Sequence, residues 1–119
     1  MNEIPEEYEL MSFFEVDPIK VDKDSDVPFY YNILTYVIIN ESERIEVHIS
    51  PSYGDIEIFW EQENTLKLNW RFYDIETLKI ERKDNQECLK ITFNSENMTD
   101  CFLWVKPNFK IIGGMKITH

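Results

Sequence analysis

The chain has 119 residues, a net charge of −11, 14% aromatic residues, 3 glycines and 5 prolines. This length bounds it to one domain, 1–119, burying roughly two thirds of its unfolded surface, and the composition excludes a disordered or low-complexity chain. Residues 1–64 carry 16 acids and 3 bases whereas residues 65–119 carry 7 acids and 9 bases, an asymmetry that argues against nucleic acid or an anionic membrane as the partner of the first half and suits a basic protein.

The amino terminus lacks the basic start and apolar run of a signal peptide, and no stretch approaches the ~18 apolar residues of a membrane span, so a soluble, cytoplasmic protein is expected. Residues 1–26 form an acidic segment expected to pack on a sheet built from residues 27–117. Within it Pro5 suits a first helical position, and Ile4, Tyr8 and Met11 recur at helical spacing, which predicts a helix over 5–13. Asp17-Pro18 stops it, and Asp22 to Asp26 reads as an exposed loop.

Phe29 to Ile39 is almost wholly aromatic or β-branched, which predicts a long strand apolar on both faces. After the turn residues Asn40 to Glu43, Ile45, Val47 and Ile49 alternate with polar residues. Pro51 to Gly54 turns the chain again, and Ile56, Ile58 and Trp60 alternate with Asp55, Glu57 and Phe59. The cleanest period-two stretch is Thr65 to Phe72, apolar at 66, 68, 70 and 72. Strands follow around Leu78 to Arg82, Leu89 to Phe93 and Cys101 to Val105, with a hairpin tip at Asp84 to Glu87. A last weak strand around Phe109 to Ile117 is interrupted by Gly113-Gly114. The fold class is therefore mainly β: a single antiparallel meander of about seven or eight strands, strongly curved or partly closed into a barrel, with a short N-terminal helix.

Matching apolar faces across short turns pairs Val37 with Val47, Ile49 with Ile56, Ile58 with Leu68, Trp70 with Ile80, and Ile80 with Ile91. That register places Trp70 and Phe72 in the core. It also fixes the opposite face: Tyr36, His48, Glu57, Asn69 and Glu81 form one row, flanked by Ile38, Glu46, Phe59, Lys67 on one side and Leu34, Ser50, Asp55, Arg71 on the other. Strands roughly 4.8 Å apart bring His48 within reach of Glu57, and Asp55 within reach of Arg71. The candidate partner-binding residues are Tyr36, Ile38, Glu46, His48, Tyr53, Asp55, Glu57, Phe59 and Asn69, with the strongest contacts expected at Phe59, Tyr36 and Tyr53.

Ser50, His48 and Glu46 lie two apart along one strand, about 7 Å between neighbours, so they form no triad. There is no GxSxG, phosphate loop, dinucleotide fingerprint, CxxC or HExxH. One histidine among carboxylates is a nonspecific metal signal, and no cofactor is expected. Cys88 and Cys101 are read as buried thiols. The reading this supports is a non-catalytic protein that binds another, basic protein. In size, acidity and lack of catalytic motif it is similar in type to bacterial immunity proteins and antitoxins, which mask a toxin's active surface; no motif ties it to one family of them. Two alternatives stay open: a small-ligand carrier with a half-barrel cavity between sheet and helix, and an enzyme centred on His48 and Glu57.

Overall fold

The computed structural model describes residues 1–24 and 26–115. A helix, α1 (Glu7–Phe14), precedes strands β1 (Ile19–Lys20), β2 (Leu34–Asn40), β3 (Glu43–Ser50), β4 (Asp55–Gln62), β5 (Thr65–Phe72), β6 (Ile75–Lys83), β7 (Gln86–Phe93), β8 (Cys101–Trp104) and β9 (Lys110–Ile112). These strands form two sheets, ordered β1-β2-β3-β4-β5 and β6-β7-β8-β9, and every pairing between them is antiparallel. The mainly β antiparallel meander with an N-terminal helix is thus the fold. It is divided into two open sheets where the chain leaves β5. At that corner Asp74 adopts φ 55°, and the Ile75 amide donates to the Gly54 carbonyl at 3.0 Å. Gly54 itself has φ +74° and lies against the Ile75 backbone, so the β3–β4 turn and the start of β6 meet at a residue without a side chain.

Helix α1 begins two residues later than its sequence suggests, because the Glu9 carboxylate accepts the Glu6 amide at 3.0 Å and sets the first turn after Pro5. It ends where Glu15 turns left-handed, φ 59°, with its amide donating to the Met11 carbonyl at 2.8 Å. Leu10, Phe13 and Phe14 are buried by it, and Phe14 stacks on Tyr36 of β2 with ring centroids 4.3 Å apart. The apolar side of the helix thus packs against the inner side of β2.

The strand expected from Phe29 starts only at Leu34. Phe29–Tyr31 is a short 3-10 turn, and buried Asn32 clamps the preceding loop: its side chain accepts the Asp22 amide at 3.0 Å and donates to the Asp22 carbonyl at 2.7 Å. The brief β1 pairing of Ile19 with Thr35 follows from that clamp.

Tight turns set the registers. Asn40 pairs with Glu43 across Glu41-Ser42, which places Tyr36, not Val37, opposite Val47. Ile49 pairs with Ile56 as expected. In β4–β5, Glu63 and Asn64 both take positive φ, and Gln62 pairs with Thr65. A bulge at Trp60/Glu61 then shifts the ladder, so Ile58 meets Trp70 rather than Leu68. In β6–β7, Asp84 and Asn85 form a similar turn and Ile80 meets Leu89, not Ile91. Trp70 and Ile80 are in different sheets and do not pair.

One hydrophobic core joins both sheets and the helix: Leu34, Tyr36 and Ile38 of β2, Ile45, Val47 and Ile49 of β3, Ile56 and Ile58 of β4 and Phe72 of β5 meet Leu78, Leu89, Ile91 and Leu103 of the second sheet. Cys88 and Cys101 are buried free thiols, and burial pushes both up from their ordinary pKa. Gly113, at φ +143°, packs so closely on Cys101 that a side chain there would collide with the Cys101 sulfur and with its Cα, 2.8 Å away. The final strand is shorter than expected, Lys110–Ile112, and the expected continuation over residues 116–117 lies outside the described residues. No helix among the described residues is long and apolar enough to cross a membrane.

Candidate functional site

The outer face of the first sheet is built by the alternation of β3, β4 and β5. Each of these strands sends Ile, Val or Phe inward and presents a polar or mixed residue outward. The ladder sets His48 against Glu57, Glu57 against Arg71, Glu46 against Phe59 and Phe59 against Asn69. Six of the expected residues, Glu46, His48, Asp55, Glu57, Phe59 and Asn69, are therefore gathered on one surface. Tyr53, in the β3–β4 turn, is 77% exposed at its edge.

Tyr36 and Ile38 are not on this face. Both point into the core, at 0% and 8% exposure, because the Glu41-Ser42 turn shifts β2 by one residue relative to the expected pairing and inverts it. Leu34 is buried with them. Thr35 and Val37 take the outward positions, opposite His48 and Glu46. The Tyr36 hydroxyl is buried without a hydrogen-bond partner among the described residues, and burial, reinforced by the Glu7 charge, drives its pKa well above that of an ordinary phenol.

Charge on the face is organised in short pairs. Glu46 accepts hydrogen bonds from His48 Nε2 at 2.7 Å and Arg44 at 2.8 Å, and these two donors, His48 first, hold its carboxyl below the usual range. Arg71 reaches Asp55 at 3.3 Å, as expected. Asn69 donates to Glu57 at 3.2 Å. The imidazole bonds its own-strand neighbour Glu46, while the cross-strand Glu57 is taken by Asn69, so the expected His48–Glu57 couple is adjacent but not hydrogen-bonded. The His48 ring lies 5.4 Å from that of Phe59. A depression of about 160 Å³ opens between His48, Ser50, Asp55, Glu57 and Arg71.

A second feature borders this face. The β2–β3 and β4–β5 tips lie at the same end of the sheet, and two neighbouring open clefts of about 820 and 500 Å³ share Ile39, Glu41, Ser42 and Glu43 as walls. The larger is floored by Phe14, Val16 and Ile38 and rimmed by Glu15; the smaller adds Glu61 and Glu63. Five carboxylates thus ring a concave end, countered there by Arg44, already bound to Glu46, and Lys106, bound to Glu15 at 2.7 Å. Trp60 donates to Glu43 at 2.6 Å and fixes one of the five. Sequence reasoning assigned acidity to the first half but did not gather these residues, although in a meander alternate tips fall at one end. Between helix and sheet the space is occupied by Leu10, Phe13 and Phe14.

No protein-family model matches the chain, and no curated protein matches it. Its fold is similar to that of a chain in the solved contact-dependent growth inhibition toxin–immunity protein complex from Klebsiella pneumoniae 342, with a TM-score of 0.78 and 18% identity over 95% of this chain and 96% of that one.

Proposed function

We propose that this chain is the acidic, non-catalytic member of a protein pair, which docks on a cationic protein in the cytoplasm and masks its active surface as an immunity protein does. The observation that carries this reading is the ring of Glu15, Glu41, Glu43, Glu61 and Glu63 around a concave end with an apolar floor, contiguous with the outer sheet face. The likeness to a chain of a toxin–immunity protein complex supports it.

The two surfaces divide the work. Carboxylates concentrated at one end attract a basic partner over roughly a Debye length, about 8 Å at physiological salt, and so accelerate encounter. Affinity then comes from what the contact desolvates, where a large half-buried ring contributes more than rim charges. Phe59 is half-buried at the centre of the outer face, and the exposed Tyr53 extends the contact past the β3–β4 turn. Glu57 is held by a single long bond from Asn69, so a partner's Arg or Lys can take it over with little loss. Glu46, doubly bonded, instead keeps His48 and Arg44 in place.

A pull-down from native extract, at low and then moderate salt, compares the tagged wild type with a Phe59→Ala/Glu57→Lys double variant. One stoichiometric partner retained by the wild type and lost by the variant supports the reading. Retention by both would move the contact off this face, and a partner with an acidic or uncharged contact surface would overturn the charge assignment.

A further inference from the structure

The free edge of β5 is a second place where chemistry is prepared but unused. β5 ends the first sheet: β4 lies along one side, and no strand lies along the other among the described residues. Its inward row, Leu66, Leu68, Trp70 and Phe72, has the parity of the core, yet only Phe72 is buried. Leu66 is 53% and Trp70 38% exposed. The second sheet reaches Phe72, whose ring meets Phe93 at 5.7 Å; among the described residues Leu68 is only half-buried and Leu66 and Trp70 stay exposed. An apolar groove of about 300 Å³ continues the strip past Trp70, between Tyr73, Phe93, Met98 and Met115. Core-facing apolar residues on an unpaired edge make a ready template for one more strand.

We infer that β5 accepts a strand from a partner protein, extending the first sheet from five strands to six. At eight residues the edge is about 26 Å long, enough for a strand of ordinary length. The identity of the visitor is argued from charge. The outward row of β5 is Lys67, Asn69 and Arg71, and Lys67 makes no ion pair among the described residues. A visiting strand therefore alternates apolar residues, which cover Leu66, Leu68 and Trp70, with acidic ones, of which the one facing Lys67 meets a cation without an ion pair and the one facing Arg71 shares it with Asp55. A second copy of this chain fits poorly, since antiparallel self-pairing centred on Asn69 sets Lys67 against Arg71 twice and joins two molecules of net charge −11. This inference goes beyond the proposed masking of a basic partner: it uses the unpaired β5 edge, whose outward row borders the outer face.

The test uses three blocked ten-residue peptides: Val alternating with Glu, Val alternating with Lys, and the Val/Glu peptide N-methylated at alternate amides. Amide hydrogen exchange of the intact protein is followed with each. The Val/Glu peptide is expected to slow exchange at alternate amides of 65–72 by about tenfold or more and to leave β9, an edge of the second sheet, unchanged; the N-methylated form does nothing. Lys67→Glu, an exposed change, should weaken the Val/Glu peptide about three- to tenfold and favour the Val/Lys one. Equal binding of the two charged peptides, protection at β9 instead, or no protection at all would show an edge merely blunted by its cations and overturn the inference. Sedimentation of the protein alone as a dimer with β5 protected would overturn the assignment to a partner's strand in favour of a second copy.

Discussion

Truncating Tyr36 and Val37 to Ala in separate variants tests the orientation of β2, on which the composition of the outer face depends. Tyr36 is fully buried, stacked on Phe14 and surrounded by both sheets, and removing such a ring costs about 3–5 kcal/mol. Val37 is half-buried on the outer face opposite Glu46, where the same truncation costs about 1 kcal/mol or less. With a urea m-value of about 2 kcal/mol/M, the first variant lowers the unfolding midpoint by about 2 M and the second by under about 0.5 M. Tyr36→Phe separates ring from hydroxyl: the hydroxyl has no partner among the described residues, so its removal leaves stability unchanged or raises it by about 1 kcal/mol. A larger loss at Val37 than at Tyr36 would invert β2 and return Tyr36 to the outer face. A clear loss in Tyr36→Phe would mean that the hydroxyl is bonded.

Gly113→Ala forces a side chain into the Cys101 backbone at a left-handed φ, whereas Gly114→Ala meets nothing within 4 Å. Urea titration should give at least about 3 kcal/mol for the first and about 1–2 kcal/mol less for the second, and equal effects would refute the packing. Glu46 has its carboxyl pKa depressed in the fold by His48 and Arg44, so its ionised form stabilises the fold above the unfolded carboxylate's pKa of about 4.3 and that contribution is lost as pH falls through the depressed value. The stability gap between wild type and Glu46→Gln should therefore narrow from about pH 6 to about pH 3; a constant gap would contradict the bonding. Trp70→Ala, at a ring 38% exposed on the free edge, should cost less than Tyr36→Ala in the same titration, and a cost equal to that of the buried ring would place Trp70 in the core.

The strands with one polar face could be read directly. In β3 and β4 every second residue is polar or charged except Phe59, so the burial faces and the Ile49–Ile56 pairing follow from alternation alone. β2 offers no such mark: Leu34 to Ile39 is apolar on both sides but for Thr35, and a one-residue difference in the turn decides which side is buried. Nor does alternation distinguish a strand that returns beside its neighbour from one that crosses to the facing sheet, which is why Trp70 was expected in the core and opposite Ile80. The bulge at Trp60/Glu61 has no glycine to announce it. The candidate face was accordingly legible where β3, β4 and β5 build it and wrong where β2 was expected to. The acidic end escaped because its five carboxylates come from a helix end and two hairpin tips distant in sequence.

The central claim is that carboxylates at one end draw this protein to a cationic protein. Its most direct measurement is the association rate with the partner recovered by pull-down, followed by stopped-flow fluorescence as ionic strength rises, for wild type and a Glu41→Lys/Glu63→Lys variant. Electrostatic steering predicts that the wild-type rate falls about tenfold or more between low and high salt, that the variant starts slower and depends less on salt, and that dissociation changes little. An association rate indifferent to salt and to both reversals would contradict it.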